Sequence, residues 1–426
     1  MDGTRGFSAR KYRLYPTPAQ AERLTGWGHT CRTLWNVALE QRRFAWQQRR
    51  RSIRLIEQCR YLTEARAEVP WIADLPSQTG QQVLRHLDRA YGDWLNPGHP
   101  AQEPRYHKRN AQLSIFFTNQ QSEVRRLSRR WAAVKLPRIG WVRFRMSRAL
   151  DGMVQFATVK VNGAGDWHVI FGLAVHYETV PPNGKPGCGV DLGVACSAFV
   201  SDEDIPRLMQ PSLTPGEHRR LLGLQRRKSR QMIYANKHNG GIYSCRLRRT
   251  LAAIADLKAR QARRRLDFTH KLTTDLAKNH GWVALEDLRV QSMTASAKGI
   301  PEKPGRNVKQ KAGLNRGILD NTFWERRRQL EYKAPLFGSE LRIVSARLTS
   351  QRCSACDVVD KASRPGCGRA FACTACGYQD HADRNAALNI KNKARRAAGL
   401  NSTRRRIAPS PRETEGRPRE PLTSAA

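Results

Sequence analysis

Residues 353–390 read CSACDVVDKASRPGCGRAFACTACGYQDHADRNAALNI. Cys353 with Cys356 and Cys373 with Cys376 form two CxxC pairs separated by sixteen residues. Each knuckle turns both thiolates to one side, and two knuckles at this separation match a zinc-ribbon site for one tetrahedral Zn2+. Free thiols or a redox pair explain the double knuckle less well. Cys367, a fifth thiol inside the loop, is not needed. Directly after the second knuckle, Asp383 precedes Asn385, Ala386 and Ala387, a helix start small enough to pack closely on a sheet.

Working outward, two more carboxylates stand at apolar segments. GVDLGV (189–194) sets Asp191 among Val190, Leu192 and Val194, and WVALEDL (282–288) ends its apolar run on Glu286. An acid amid apolar neighbours is costly unless it binds a cation or finds a partner. Gly189 and Gly193 are expected to let a phosphate backbone come close. Each motif alone reads equally well as a capped turn or a plain strand end. Together they place one carboxylate each in a strand, a strand and a helix start, and three such groups can gather two divalent cations. Two clamped cations are a device for cutting phosphodiesters.

The charge balance, 76 − 36 = +40, points to a polyanionic partner. Self-repulsion of that size disfavours the compact state without a counter-polyanion, and nucleic acid is the natural one. No apolar run approaches the ~20 residues of a spanning helix, so no membrane is expected. The start, MDGTRGFSARKYRLYP, has no apolar signal core, so the expected place is the cytosol. In a reducing cytosol the ten cysteines are not a disulfide framework.

Residues 8–16 alternate like a strand, and a helix start follows: Thr17 as N-cap, Pro18 in the first turn, Gln20 closing a capping box. Leu24, Trp27, Cys31, Leu34 and Ala38 recur at helical spacing and should pack inward. Pro76 opens a second helix with Val83, Leu84, Leu87, Tyr91 and Leu95 on one face. Between 112 and 180, five β-type runs are broken by Gly, Pro and Asn, which suggests a small barrel that also takes in strand 8–16. From 218 to 265 fifteen Lys or Arg face one acid, Asp256. This basic helical pair should bury one side and present Arg226, Arg227, Lys228, Arg230, Arg263 and Arg264 to a nucleic-acid backbone. The Gly/Pro/Lys-rich stretch 294–313 reads as a mobile loop. The tail 401–426 has too few large apolar residues to fold and reads as disordered.

With these stretches in hand, the chain resembles the TnpB family, RNA-guided nucleases of insertion sequences, and is similar to compact type V CRISPR effectors. The carriers are KYRLYPTPAQ, LPSQTGQQVLRHLDRAY, KLPRIGWVRFR, GVDLGV, RLDFTHKL, VALEDL, RRQLEYKA, TSQRCSAC and FACTACGYQDHADRNAALNI, which together span nearly the whole chain. The resemblance implies a multidomain α/β fold: a wedge-type β-barrel (1–18 and 112–182), a helical recognition lobe (19–111), an RNase H-like RuvC nuclease domain (183–348 and 379–400) and an inserted zinc ribbon (349–378). It also implies a DNA endonuclease with guide RNA and target DNA as partners, Mg2+ or Mn2+ held by Asp191, Glu286 and Asp383, and Zn2+ on the four cysteines. Monomer and dimer stay open. Asp357 follows the first knuckle where glycine is common, and DHAD replaces the commoner DRD. Asp383 is preferred to Asp380 because the family's acid stands two residues before the Asn. Finally, Ser77, Gln78 and Gln81, with Thr118 and Asn119 opposite, are expected near the duplex beside the target, where amides and hydroxyls can reach base edges. An RNA-guided repressor, an autonomous transposase and a structure-selective resolvase are the rival classes. A lost carboxylate, a separate DNA-reading module, or cutting without RNA would favour them in turn.

Overall fold

The computed structural model describes residues 4–108, 113–118, 123–177, 180–209, 211–300, 302–365 and 369–399. Asn119, Cys367 and the tail 401–426 lie outside the described residues. The chain forms two compact units. The first takes in the chain up to Thr179 together with Arg219–Ala259; the second takes in Val180–His218 and what is described from Arg260 onward.

In the first unit, strand β1 (Thr4–Tyr15) leads straight into helix α1 (Pro18–Arg49). The junction is the capping box read from the sequence: the Gln20 amide donates to the Thr17 hydroxyl at 3.3 Å, and the Thr17 amide donates to Gln20 Oε1 at 3.0 Å. Helices α2 (Leu55–Glu68), α3 (Pro70–Ala73) and α4 (Ser77–Leu95) follow. The inward face of α1 is as expected, with Leu24, Trp27, Cys31, Leu34 and Ala38 all buried. On α4, Leu84 and Leu87 are buried, but Leu95 in the last turn is exposed. The helical pattern runs on past the point where the helix has anything to pack against.

Strands β2 (Ser114–Thr118), β3 (Glu123–Arg126), β4 (Trp131–Leu136), β5 (Gly140–Arg145), β6 (Met153–Val161) and β7 (Trp167–Tyr177) complete a seven-stranded sheet of order β2-β6-β7-β1-β5-β4-β3. All its pairings are antiparallel. The N-terminal strand thus lies mid-sheet, and the helices α1–α4 are an insertion between β1 and β2. Tyr12, Leu14, Phe117, Val134, Val142, Phe144 and Phe171 pack with the inward residues of α1 and α4 into one core. Leucines buried to this degree each contribute roughly 1.5–3 kcal/mol of transfer free energy. The expected barrel closure is not seen: among the described residues nothing pairs β2 with β3. The β3 edge is four residues long, mostly exposed and charged (Glu123, Arg125, Arg126), the kind of edge that discourages further pairing.

The second unit is built on β8 (Cys188–Asp191), β9 (Phe199–Val200), β10 (Trp282–Glu286) and β13 (Glu340–Val344), in the order β13-β10-β8-β9. β13, β10 and β8 are parallel; β9 is antiparallel. Between them in the chain come the long helices α5 (Pro215–His238) and α6 (Cys245–Asn279), whose stretch Arg219–Ala259 belongs to the first unit, then the one-turn helix α7 (Val290–Met293), a hairpin of β11 (Gly299–Ile300) and β12 (Lys303–Pro304), and helices α8 (Val308–Asp320) and α9 (Phe323–Leu336). The stretch read as a mobile loop is therefore largely built: it holds the hairpin and the start of α8. Gly299, at φ +70°, adopts the left-handed backbone this tight hairpin needs.

The sheet is buried on both faces, as parallel strands require. Val283 and Leu285 of β10 pack with Leu272, Leu276 and Leu330 of α6 and α9. Ala284, between them in sequence, points the other way and meets Ile390 and Ala394 of α10 (Ala382–Ala397). A last hairpin, β14 (Ala370–Ala372) with β15 (Gln379–His381), belongs to the cysteine module. Among the described residues no helix is long and apolar enough to cross a membrane.

Candidate active site

Asp191 and Glu286 are the last residues of the adjacent parallel strands β8 and β10. Ligand sites of parallel sheets lie at such carboxyl ends. Asp383 stands in the first turn of α10, where its amide donates to the N-cap His381 Nδ1 at 3.2 Å. All three line one cavity of about 360 Å3, together with Cys196, Thr349, Ser350 and Arg364. Each of the three is half-buried. Their neighbours in sequence point elsewhere. Asp287 is exposed and pairs with Arg327 at 2.8 Å. Asp380 accepts from the Tyr378 hydroxyl at 2.6 Å and pairs with Arg384 at 3.1 Å.

What brings α10 to the strands is the absence of a side chain at Gly189. A Cβ there would lie 2.2 Å from the Ala387 carbonyl oxygen and 2.5 Å from the Lys391 amide. Gly189 thus admits a helix, not a phosphate backbone, and the sequence expectation is corrected. Gly193 is likewise committed locally: its amide donates to the Cys196 carbonyl at 3.0 Å, and a Cβ would sit 2.7 Å from that oxygen. Lys391 also anchors the helix, donating to Asp202 at 2.5 Å, and Asp202 accepts from Ser201, whose hydroxyl receives the Gly189 amide at 3.0 Å.

The electrostatics of the cavity ask for a cation. Burial, then the charges of Glu286 and Asp383, push the Asp191 carboxyl up to about 8. Burial also raises Glu286, against the Thr349 hydroxyl bond that lowers it. Arg364, 3.8 Å from Asp383, relieves the repulsion only in part. Three carboxylates crowded in a half-buried cavity suit a divalent ion. The cluster is open: among the described residues only the cysteine group below brings three or more ligand atoms within 4.8 Å of one another.

A stability consequence follows for the cation-free protein. The folded state keeps a proton on Asp191 that the unfolded chain releases near pH 3.8, so stability falls as pH rises from about 4 to about 8. Asp191→Asn should flatten that fall and raise the melting temperature at pH 7.5. Melting curves of both proteins in chelator, at pH 5 and 7.5, check this; an equal loss in both removes Asp191 as its source.

The four cysteines form a second cluster. Cys353 Sγ lies 3.8 Å from Cys376 Sγ and Cys356 Sγ lies 3.6 Å from Cys373 Sγ. Tetrahedral Zn–S bonds of about 2.3 Å imply S···S separations near 3.8 Å, so the set fits Zn2+. Asp357 has φ +66° and Gly377, the matching position of the second knuckle, φ +71°. The first knuckle thus holds its left-handed turn without glycine; aspartate tolerates that region, and here Arg396 holds its carboxylate at 2.8 Å.

Basic surfaces are found in the first unit. On strands β1, β3, β4 and β5 the residues alternating with the core form a cationic, aromatic face. Arg13 stands opposite Arg145, Tyr15 opposite Arg143, Trp131 opposite Arg145, and Lys135 opposite Trp141. The Arg143 and Arg145 guanidinium carbons lie 4.8 and 5.2 Å from the Trp131 ring centre. Such stacking fixes the guanidiniums while leaving their N–H groups for an anion. Sequence reading missed this face because its residues are spread over four strands. A groove of about 560 Å3 between α5 and α6 is lined by Arg220, Arg227, Arg246 and Arg249. Arg226 and Arg230 are exposed and Lys228 half-buried. Of the two expected in α6, Arg263 is exposed, while Arg264 pairs with Glu217 at 2.5 Å. On α4, Ser77 is exposed and Gln78 and Gln81 are half-buried. Thr118 donates to Gln78 Oε1 at 2.6 Å, so these two expected neighbours do meet.

Known protein families match three parts of the chain. A Cas12f1-like TNB domain model matches residues 323–390, a model described as "Helix-turn-helix domain" matches 8–51, and one described as "Probable transposase" matches 171–297. In this structure residues 8–51 hold part of β1 and the single helix α1, with no helix-turn-helix. The chain is 32% identical to "Putative RNA-guided DNA endonuclease InsQ" of Escherichia coli (strain K12), over 90% of this chain and 91% of that one. It is 30% identical to "Putative RNA-guided DNA endonuclease" of Streptomyces pristinaespiralis, over 92% and 89%. Among solved structures it is similar to "Cryo-EM structure of the Cas12f1-sgRNA-target DNA complex", with 12% identity, a TM-score of 0.46, and coverage of 91% and 99%.

Proposed function

Because the chain belongs to the TnpB family of RNA-guided DNA endonucleases, we propose that it hydrolyses phosphodiester bonds of DNA complementary to a bound guide RNA, at the cavity of Asp191, Glu286 and Asp383. The observation that carries the reading is the meeting of these three carboxylates in one half-buried cavity of a chain with net charge +40. Acidic residues are scarce in this protein, and three of them stand where a cation is needed.

Asp191, Glu286 and Asp383 would hold Mg2+ or Mn2+. The bound cations supply Lewis-acid activation of a water nucleophile and charge neutralisation at the scissile phosphate. The protein's own part is positional. Two carboxylates come from the rigid ends of parallel strands and the third from a helix locked on those strands at Gly189. The four cysteines would hold Zn2+ as a structural site, since every ligand position is filled by protein. The second unit, with its cysteine module, plays the RuvC-like part and the seven-stranded sheet the wedge part, with α1–α4 as the recognition lobe. The basic sheet face and the α5–α6 groove carry nucleic-acid backbone. Ser77, Gln78, Gln81 and Thr118 meet the flanking duplex. Sequence is read by base pairing with the guide, apart from a short flanking motif. The rival transposase reading needs a DNA-reading module of its own, and the stretch matching a helix-turn-helix model contains only one helix.

The test is RNA dependence. RNA co-purified with the protein is sequenced and reconstituted with RNA-free protein. DNA matching its guide segment should be cut only with that RNA and a divalent cation. Site-specific cutting by RNA-free protein would overturn the guided reading. Arg143→Gln with Arg145→Gln should weaken guide RNA binding and flatten its salt dependence by roughly 0.7–0.9 in log–log slope for each phosphate no longer neutralised. A binding isotherm series from low to high salt reads this directly; an unchanged slope removes the sheet face from the interface.

A further inference from the structure

Glu286 is held by a residue that belongs neither to its own strand nor to the carboxylate set. The Thr349 hydroxyl lies 2.5 Å from Glu286 Oε1 and 2.9 Å from the Ala346 carbonyl oxygen. Thr349 is only 3% exposed and lines the cavity. A hydroxyl has one hydrogen, and an ionised carboxylate is a stronger acceptor than a carbonyl.

The segment that carries Thr349 is itself strapped to α10. Asn389 Nδ2 donates to the Thr349 carbonyl at 2.9 Å and to the Arg352 carbonyl at 2.6 Å. Asn385 Nδ2 donates to the Arg352 carbonyl at 2.8 Å, and Asn385 Oδ1 accepts the Ser354 amide at 2.9 Å. Both asparagines are fully buried. The helix that presents Asp383 therefore also fixes the strap that reaches Glu286, and the strap runs directly into Cys353.

We infer that Thr349 is a positioning residue for Glu286: its hydroxyl engages Oε1, fixes the orientation of the carboxylate in the cavity, and ties the geometry of Glu286 to that of Asp383 through Asn385 and Asn389. The inference rests on the proposed role of the carboxylate cavity. Groups that orient a metal-binding side chain are commonly worth about 10–100-fold in metal affinity.

Thr349→Val keeps the shape and removes the hydroxyl; Thr349→Ser keeps the hydroxyl. Each variant is assembled with guide RNA. Two quantities are read: the Mg2+ concentration giving half-maximal cleavage, and the cation-induced rise in melting temperature of the assembled complex. Thr349→Val should need about 10-fold more Mg2+ and show a smaller cation-induced rise, while Thr349→Ser stays within about 3-fold of the parent. RNA affinity and the melting temperature in chelator should be unchanged. Should Thr349→Val melt early in chelator, Thr349→Ala against Thr349→Ser makes the same comparison. Equal shifts in the Val, Ala and Ser variants mean packing alone and overturn the inference, as do parental values in Thr349→Val. Glu286→Ala separates the two levels. If it is inactive while Thr349→Val behaves as the parent, only the positioning role is lost; if it cuts normally, the proposed role of the cavity itself falls.

Discussion

Alanine at Asp191, Glu286 or Asp383 should abolish DNA cleavage and leave RNA-guided DNA binding near the parental level. The two activities rest on groups of opposite sign. In the proposed reading, backbone binding rests on the arginines of the sheet face and the α5–α6 groove, none of which lines the cavity of the three acids. Cleavage depends on cations, and each carboxylate removed takes ligand oxygens from a cavity that offers few. We expect a loss of about 10^3-fold or more in rate for each, equivalent to about 4 kcal/mol of transition-state stabilisation. Binding is measured by a gel-shift or filter assay on matched DNA and cutting on the same substrate. Asp380→Ala and Asp287→Ala are the controls. Asp380 is held by Tyr378 and Arg384 and Asp287 by Arg327, outside the cavity lining. Both controls should cut at least partly. Full cutting in Mg2+ by any one of the three cavity variants would strike that residue from the set, and loss of DNA binding in all three would mean that the cavity organises the fold instead.

What sequence could reveal here followed from how local each cause is. The capping box at Thr17 and Gln20, the inward stripe of α1 and the CxxC pairs are set by neighbours within a few positions, and all were legible. Asp191 and Glu286 stood out because an acid beside apolar residues is costly without a partner, though each alone read equally well as a capped turn or a strand end; the structure brings both to one cavity. The short elements were not. β9 is two residues long, β3 is a charged edge that lacks an apolar alternation, and the β11–β12 hairpin lies in a stretch whose Gly, Pro and Lys content resembles a linker. The functions of Gly189 and Thr349 were out of reach for another reason. Gly189 is required by Ala387 and Lys391, about two hundred residues away in the chain, and Thr349 matters through Glu286, Asn385 and Asn389. In sequence nothing sets Cys196 apart from an ordinary core or surface cysteine; only the fold brings it to the cavity wall, with its thiol pushed up to about 12 by burial. The basic sheet face was missed because its cations and rings alternate with core residues on separate strands, and register alone assembles them.

Removing one zinc ligand should cost more than the zinc. Cys353, Cys356, Cys373 and Cys376 are expected to hold one equivalent of Zn2+ per chain, resistant to dialysis. Apparent binding energies of about 10–16 kcal/mol for structural zinc in small domains exceed what the little core of Phe371, Ala382 and the cysteines could supply by itself. Cys376→Ser should therefore lose the ion and unfold the segment from about 353 to 381. The damage should then reach the cavity by two routes. The strap Thr349–Arg352 loses its anchor at Cys353, and α10 loses the β15 hairpin that leads into its first turn, where Asp383 stands. Cleavage should fall by a factor comparable to that of a missing carboxylate, and extra Mg2+ should not restore it, because the ligand oxygens are misplaced and not merely undersaturated. Guide RNA binding, proposed to draw on the first unit, should persist. Elemental analysis, protease sensitivity near residues 353–381 and a Mg2+ titration of cleavage check the three parts separately. Cys367→Ser should keep both zinc and activity. Zinc retained at one equivalent after Cys376→Ser, together with its loss after Cys367→Ser, would overturn the ligand set. Full cleavage by a zinc-free Cys376→Ser protein would leave the ligands in place and remove the mechanical link between the cysteine module and the carboxylates.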